Sequence, residues 1–195
     1  CPPQIKGKIE HFVTRKAMDI ALAGATIDQL YKAGLVKTSA DLYTLTYNDV
    51  VTLDRFAEKS AKNLIDSIQA SKSVPFARVL YAIGIRHIGE TSAKTLAKKY
   101  KSLDAIQNAT LEELQSTEDV GETIAASIKN YFADPDNIQF IEKLKANGIQ
   151  FEETGSTQAV SNVLEGKTIV ISGTFEKHSR DEMKELIEAY GGKNV

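Results

Sequence analysis

Several residue types and sequence features are scarce or missing in this chain. Its 195 residues include one cysteine, four prolines and no tryptophan, and no apolar run is long enough to span a bilayer. One cysteine excludes an internal disulfide, and the missing apolar run predicts no membrane span. No signal peptide opens the chain, so we expect a cytoplasmic protein in a reducing setting.

The charges are also nearly balanced. The formal net charge is −2, with 24 Lys and Arg against 26 Asp and Glu. No strong overall field therefore attracts polyanions, which argues against a nucleic-acid binder that depends on Lys and Arg alone. Binding through backbone N–H groups stays open, because those groups have no formal charge.

Motifs of catalysis and metal binding are missing as well. The three histidines, His11, His87 and His178, do not have the spacing of metal ligands. Gly166-Lys167-Thr168 resembles half of a P-loop. A P-loop follows a strand, however, whereas this segment precedes the apolar run that would form one. No serine lies in a nucleophile elbow. We therefore predict no catalytic residue within this chain.

The composition is that of a folded, mostly helical chain. With 42% hydrophobic and 26% charged residues, the sequence can bury a core. Apolar residues recur at helical spacing up to about residue 150, and a polar stretch follows. The apolar run 168–171 and the helical pattern after Ser179 then predict one strand and one helix. Since a lone strand and helix cannot form a sheet, we expect the opening part of an α/β domain.

A short pattern recurs at regular spacing along the helical part. Each copy has an apolar residue, a small residue and Glu, then Ala three residues later and an aliphatic residue three further on. Three copies have this pattern, and a looser one precedes them: Phe56–Leu64, Ile88–Leu96, Val120–Ile128 and the looser Leu22–Leu30. Helical solenoids repeat at similar periods, but the signatures of tetratricopeptide and ankyrin arrays are absent.

Each copy predicts a tight turn followed by the start of a helix. Gly89 can adopt the left-handed conformation and lets another backbone approach closely. The N–H groups of Glu90, Thr91 and Ser92 are the unpaired donors of a first helical turn, and with the helix dipole they can bind a phosphate. Ala57 holds the glycine position of an earlier copy, where a methyl group could strain a positive φ. An ordinary corner between helices is the alternative interpretation.

Several longer sequence segments resemble those of a known family. The apolar–Gly–x–x–x–Ala turn between helices resembles the helix-hairpin-helix DNA-binding motif. The words Cys1–Gln4, His11–Ile20, Ala40–Tyr43, Phe76–Arg86 and Ile88–Thr91 resemble the C-terminal half of bacterial NAD-dependent DNA ligase. This resemblance extends over almost the whole chain.

The resemblance implies a mainly α fold of four helix-hairpin-helix repeats, followed by a truncated α/β BRCT piece. Residues 1–14 would be the remnant of a zinc finger with a connecting helix, and 15–150 the DNA-binding domain. Residues 151–164 would form a linker and 165–195 the N-terminal part of a BRCT domain. Since the chain begins without Met and ends early in that domain, we expect a piece of a longer protein.

The parent enzyme implied by this resemblance seals nicks with 5′-phosphate and 3′-hydroxyl ends in replication and repair. It uses NAD, magnesium and zinc, and it works in the bacterial cytoplasm near the nucleoid. The family's Lys-x-Asp-Gly adenylation motif and NAD-binding residues are absent here. We therefore expect this chain to bind no cofactor and to seal no nick alone. Its expected partners are nicked duplex DNA and the other domains of the ligase, with no membrane.

The resemblance also assigns roles to residues. Cys1 would be the final zinc ligand, with its partner ligands absent from this chain. Ser172, Gly173 and Arg180 match the phosphate-binding positions of some BRCT domains. The predicted DNA contacts lie in and beside the repeated turns, with most weight on the third and fourth. They are Gly24, Ala57, Lys59, Arg86, Gly89, Glu90, Thr91, Ser92, Lys94, Lys98, Gly121, Glu122 and Thr123.

A second function class stays open at this point. The helical repeats could dock a protein partner, which would make the chain a non-catalytic interaction scaffold, and the net negative charge favours that alternative. The lysines of the third repeat helix could likewise form a solvent-exposed face that binds no ligand. Competition by unrelated DNA would separate the two hypotheses.

Overall fold

The chain folds mainly into short helices, as predicted. The computed structural model describes residues 2–153, 164, 166–173, 180–190 and 192–194. Contacts divide the chain into two compact units, Cys1–Glu153 and Thr154–Val195. The finer domain boundaries given above stay a prediction.

The described residues of the first unit form ten α-helices and one 3-10 helix. The α-helices are α1 (Pro2–Val13), α2 (Gly24–Lys32), α3 (Tyr47–Val51), α4 (Glu58–Ser71), α5 (Phe76–Ala82), α6 (Glu90–Tyr100), α7 (Leu103–Asn108), α8 (Leu111–Gln115), α9 (Glu122–Ala133) and α10 (Pro135–Ala146). The 3-10 helix spans Ser39–Thr44 and precedes α3.

Four pairs of neighbouring helices pack against each other as hairpins. Hairpin 1 consists of α1 and α2, hairpin 2 of α3 and α4, hairpin 3 of α5 and α6, and hairpin 4 of α8 and α9. The second helix of each hairpin begins with one copy of the repeated sequence pattern. The pattern is therefore a structural unit of the fold.

The apolar positions of the pattern explain why each hairpin closes. The residues four and seven positions after the small residue face the interior, where each is at most 1% exposed. The first set is Ile27, Ala61, Ala93 and Ala125, and the second is Leu30, Leu64, Leu96 and Ile128. Truncating a buried Leu or Ile of this kind to Ala costs about 2–5 kcal/mol of stability.

Polar contacts connect the hairpins within this unit. The Arg78 guanidinium on α5 donates to the backbone oxygens of Arg15 at 2.8 Å and Ala17 at 2.9 Å, in the segment that follows α1. The Tyr43 hydroxyl lies 2.8 Å from Ser71 Oγ, and burial raises the pKa of Tyr43 to about 12. The Arg78 contacts join the segment after α1 to the first helix of hairpin 3, and the Tyr43–Ser71 contact joins the 3-10 helix to α4.

The second unit contains a parallel strand pair with a helix between the strands in sequence. Strand β1 (Thr168–Ile169) pairs with β2 (Lys193–Asn194), and α11 spans Arg180–Ala189. The prediction of a lone strand and helix is therefore wrong, because a second strand follows the helix. Gly192 is required by packing here, since an added Cβ would lie 2.9 Å from Ile187 Cγ2.

Candidate nucleic-acid interface

The repeated turns form four corners whose N-cap residues have nearly the same backbone conformation. We define a corner as the N-cap residue of α2, α4, α6 or α9 together with the two residues before it. The N-cap residues have φ near −90° and extended ψ: Ala23 (−86°, 155°), Ala57 (−96°, 165°), Gly89 (−92°, −175°) and Gly121 (−85°, −177°). All four N-cap residues are exposed.

The helices that begin at these corners lack a side-chain cap. Among the described residues, no side chain accepts a hydrogen bond from the first turn of α2, α4, α6 or α9. Four of the other helices have a side-chain cap: Thr46 caps α3, Ser102 caps α7, Thr110 caps α8 and Asp134 caps α10. Helix α5, which follows Pro75, has none. The corners therefore leave first-turn N–H groups without a side-chain partner, which suits an external anion.

The left-handed residue of the turn is not the one that was predicted. Gly89 has an extended conformation, whereas His87 has φ 68°. The equivalent residues of hairpins 2 and 4, Arg55 and Asp119, have φ 64° and 60°. The predicted left-handed conformation of Gly89 is therefore wrong, and so is the predicted strain at Ala57. An L-residue adopts these N-cap angles without strain.

The two glycine corners are open toward solvent. A Cβ added to Gly89 or Gly121 would meet no heavy atom of the described residues within 4 Å. The interior of the protein therefore does not require a glycine at either position. The space in front of both N-termini stays available to another molecule.

Hairpin 3 has basic residues around its corner. Arg86 and Lys94 are exposed and, among the described residues, make no ion pair. Glu90 is the one acidic residue of the first turn of α6, and Lys16 Nζ lies 3.5 Å from its Oε2. The ion pair balances the charge of Glu90, and the corner keeps an excess of positive charge.

The lysines at the end of α6 differ in their surroundings. Lys98 is exposed, and no ion pair to it occurs among the described residues. Lys99 Nζ instead donates to Thr117 Oγ1 at 2.8 Å and lies 5.3 Å from the centre of the Tyr100 ring. Lys99 therefore joins α6 to the segment after α8, whereas Lys98 stays available to solvent.

Hairpin 4 has the opposite charge at its corner. Glu118, Asp119 and Glu122 surround Gly121 in sequence, and the stretch 116–126 contains no Lys or Arg. This corner lies against the first turns of α6, because Ser92 Oγ lies 3.4 Å from the Asp119 backbone oxygen and Thr95 Oγ1 lies 3.3 Å from Asp119 Oδ2. The predicted contacts Gly121, Glu122 and Thr123 thus lie beside hairpin 3, in acidic surroundings.

Hairpin 2 is joined to hairpin 1 in a similar way. Gln29 Nε2 on α2 donates to the Asp54 backbone oxygen at 3.3 Å, just before the corner that ends at Ala57. Lys59 lies in the first turn of α4 and is exposed, as is Arg55. The corner of hairpin 2 thus has two cations, together with the exposed carboxylate of Glu58, beside an N-terminus that has no side-chain cap.

Hairpin 1 fits an anion less well. Gly24 is the first residue of α2, and the N-cap is Ala23, one position earlier than the predicted contact. A Cβ added to Gly24 would lie 3.0 Å from Glu10 Oε1. The Glu10 carboxylate therefore already lies near this N-terminus. It interacts favourably with the helix dipole there and would repel a phosphate.

A groove of about 1100 Å³ lies beside the corner of hairpin 3. Its walls come from α1, the end of α5, α9 and α10, and Arg86 and Ile88 form one edge. Tyr131 also lines it, and the Tyr131 hydroxyl is buried with no hydrogen-bond partner among the described residues. Burial is also the main reason why the pKa of Tyr131 is raised.

The remaining predicted sites lie at or beside residues outside the described ranges. Cys1 lies outside the described residues, and within those residues no group of three or more His, Cys, Asp and Glu could hold a metal ion. Ser172, Gly173 and Arg180 are exposed, and most of the chain between them falls outside the described ranges. None of the described helices has the length and apolar character needed to cross a membrane.

Sequence reasoning missed three residues at these corners. Arg55 and His87 occupy the left-handed position, and Lys16 pairs with Glu90 across the fold. A signal for the first two was available, since a polar residue stands two positions before the small residue in three copies of the pattern. The position of Lys16 had no such signal, because its partner is far away in the sequence.

Comparison with known proteins agrees with this geometry. Residues 78–141, which include most of hairpin 3 and all of hairpin 4, match the model of the helix-hairpin-helix motif. Residues 159–195 match the model of the BRCA1 C-terminus (BRCT) domain. The predicted fold class is thus confirmed in both parts, while the count of four repeats stays a prediction.

Curated relatives match the whole chain. A protein of Phocaeicola vulgatus named DNA ligase is 54% identical over 197 residues, covering 100% of this chain and 30% of that protein. DNA ligases of Parabacteroides distasonis and Bacteroides fragilis are 53% and 51% identical, again over 100% of this chain, and over 29% and 30% of their own lengths. The chain therefore spans less than a third of the length of these relatives.

Proposed function

We propose that this chain, a homologue of one segment of bacterial DNA ligases, grips duplex DNA around a nick without reading its sequence. One observation carries the proposal. Four helix N-termini without side-chain caps are exposed, and their N-cap residues have nearly identical φ and ψ. Homology to DNA ligases supplies the class of ligand.

Backbone N–H groups would make the central contacts. At hairpin 3, the N–H groups of Glu90, Thr91 and Ser92 face outward from the start of α6, where the helix dipole favours an anion. A DNA phosphate is such an anion, and the open space in front of Gly89 allows its close approach. Contacts to phosphate position a protein on the duplex but do not identify bases.

Exposed cations would strengthen these contacts without adding specificity. Lys59 and Arg55 lie at the corner of hairpin 2, while Arg86, Lys94 and Lys98 lie on hairpin 3. Each phosphate that a cation neutralises releases a counterion, so the affinity should fall steeply with salt. With a net charge of −2, the chain depends on this local concentration of positive charge.

In the complete enzyme, this grip would act by orientation. We place this chain in an NAD-dependent ligase of replication and repair, whose NAD and magnesium chemistry would belong to other parts of the protein and whose zinc site would take only Cys1 from this chain. The chain has no adenylation motif. Holding a nick in register with a catalytic domain lowers the barrier, since the reacting ends no longer meet by diffusion.

Titration of a labelled nicked duplex tests the binding. The duplex is titrated with the chain at low and at moderate salt, with an excess of unrelated DNA as competitor and an acidic protein as control. We expect saturable binding at low salt, loss of affinity at moderate salt and displacement by the unrelated DNA. If no binding occurs at low salt, the proposal is wrong and a protein-interaction scaffold becomes the better account.

A glycine variant tests the role of the backbone. Gly89→Val places a branched side chain in front of the α6 N-terminus, and we expect at least a tenfold loss of affinity because charge-assisted hydrogen bonds of about 1.5–3 kcal/mol are lost. Gly7→Val is the matched control, because Gly7 is also exposed and an added Cβ would meet no described atom within 4 Å. Equal affinities of the two variants, with unchanged helical circular dichroism, would contradict the assignment.

A further inference from the structure

We propose that Lys16 joins the DNA contacts of hairpin 3 and that Arg78 is the residue that positions it; this inference rests on the proposed DNA-binding function. Lys16 belongs to the segment after α1, yet its Nζ lies 3.5 Å from Glu90 Oε2 at the start of α6. Both side chains are exposed, at 70% and 45%. An exposed ion pair of this kind adds little to the stability of a fold. Stability therefore does not explain why a lysine from the segment after α1 lies at the corner of hairpin 3.

The segment that contains Lys16 is a closed turn. The backbone N–H groups of Ala17 and Asp19 donate to the Thr14 backbone oxygen at 3.0 and 2.9 Å. Ala17, the next residue after Lys16, is fully buried, whereas the Lys16 side chain is exposed. The hydrogen bonds and the buried alanine therefore fix the backbone of the turn 14–19, and Lys16 lies on its outer face.

Arg78 holds this turn from α5, the first helix of hairpin 3. Its guanidinium donates to the Arg15 backbone oxygen at 2.8 Å and to the Ala17 backbone oxygen at 2.9 Å. These two carbonyl groups belong to the residues on either side of Lys16. A guanidinium presents its N–H donors in a rigid planar fork, so the Arg78 side chain fixes both carbonyl groups at once, which an ammonium group cannot do in the same geometry. The backbone of Lys16 is thereby attached to hairpin 3.

A second contact joins the end of α1 to α5. The His11 and Tyr81 rings meet edge to face with 4.6 Å between their centroids, and His11 Nε2 donates to the Tyr81 backbone oxygen at 2.8 Å. This contact lies one helical turn before the segment that Arg78 binds. Together, the two contacts keep the turn 14–19 beside hairpin 3, although the turn follows a helix of hairpin 1.

The ligand is the duplex of the proposed function. The helix-hairpin-helix match over residues 78–141 and the DNA ligase relatives support that ligand independently of the charges at this corner. The Glu90 carboxylate would repel a phosphate there, and among the described residues Lys16 alone forms an ion pair with it. An ammonium group has three donors, so Lys16 can contact a phosphate while it stays beside Glu90. With the exposed Arg86 and Lys94, it makes a third cation at this corner.

Salt titrations of binding to a nicked duplex test the role of Lys16. Each neutralised phosphate contributes about 0.9 to the slope of log affinity against log salt, so Lys16→Gln should make that slope shallower by about 0.9. Lys32→Gln is the matched control, because Lys32 is also an exposed lysine in an ion pair, 73% exposed and 2.6 Å from Asp28 Oδ2. It removes the same charge and should leave the slope unchanged.

Arg78→Lys separates positioning from charge, because it keeps the positive charge and removes the fork. We expect its slope to fall to that of Lys16→Gln, and the double variant to have the slope of Lys16→Gln alone, since Arg78 acts through Lys16. Thermal unfolding identifies the folded variants, and Arg78→Gln replaces Arg78→Lys in this comparison if the latter does not fold.

Three results would overturn the inference. They are an unchanged slope for Lys16→Gln, an unchanged slope for Arg78→Lys, and a double variant in which the two losses of slope add. Each of these leaves the proposed function standing, because the chain still binds the duplex. Absence of binding by the unchanged chain at low salt would instead refute the proposed function.

Discussion

The corners of hairpins 3 and 4 have the same backbone and opposite charge. Gly89 and Gly121 differ by only a few degrees in φ and ψ, both are exposed, and both precede a helix without a side-chain cap. Arg86, His87 and Lys94 lie near the first glycine, whereas Glu118, Asp119 and Glu122 surround the second. The two corners therefore have the same backbone conformation but present opposite charges to a phosphate.

This difference separates two requirements of anion binding. The backbone requirement is met by local sequence, because an apolar residue, a small residue and a buried Ala suffice to build the corner. The electrostatic requirement depends on the residues between those positions. Since both requirements must hold, we expect hairpin 3 to bind more strongly than hairpin 4, although both carry the glycine of the motif.

The largest expected effect comes from exchanging the glycine at each corner. Gly89→Val should cost about 1.5–3 kcal/mol of binding free energy to a nicked duplex, because the N–H contacts to phosphate are lost. Gly121→Val should cost about 1 kcal/mol or less, since the carboxylates already weaken contacts there. Fluorescence anisotropy of the two variants side by side measures the difference. Equal losses would mean that charge does not distinguish the corners.

A smaller effect distinguishes the lysines of α6. Lys94→Gln and Lys98→Gln should each lower the salt slope of DNA binding by about one, because each lysine neutralises one phosphate. Lys99→Gln should leave that slope nearly unchanged and lower the free energy of unfolding by about 1 kcal/mol, since it breaks the hydrogen bond to Thr117. Salt titrations and urea unfolding of the three variants provide the comparison. A slope change for Lys99 as large as for Lys94 would contradict the structural role of Lys99.

The smallest expected effect comes from removing acidic charge at hairpin 4. Glu118→Gln combined with Glu122→Gln should raise DNA affinity by about 0.2–1 kcal/mol per residue, because exposed charges interact weakly. Glu112→Gln with Glu142→Gln removes the same charge at sites away from the corner and is the control. An equal gain in DNA affinity for the control would show that affinity depends on net charge alone, and not on the charges at the corner of hairpin 4.

Much of the helical architecture could be read from local sequence. Ser102 and Thr110 are residue types that commonly cap helices, and their side chains accept hydrogen bonds from the backbone N–H groups of Ala105 and Glu113. The helices Glu58–Ser71 and Glu90–Tyr100 each begin directly after the small residue of the repeated pattern, and their apolar faces are encoded within a few turns. The resemblance to DNA ligases was likewise predicted from short sequence segments, and the similarity to curated relatives named DNA ligase confirms it.

Other features could not be predicted, because their partners are distant in sequence. The left-handed conformation was expected at Gly89, but His87 adopts it. The residue between them, Ile88, is buried, and Gly89 is the extended N-cap of α6. The second strand, Lys193–Asn194, is too short to give a signal and is defined only by its pairing with Thr168–Ile169. Propensity alone does not reveal a pairing of two residues.

The sequence by itself determined the helices and the regular spacing of the corners, because helix starts and amphipathic spacing are local properties of the chain. Only the tertiary structure decided which charges meet at each corner. Lys16 reaches Glu90, Thr95 lies beside Asp119, and Lys99 turns to Thr117. These pairs depend on how the hairpins pack, and the charge that is left over at each N-terminus follows from that packing.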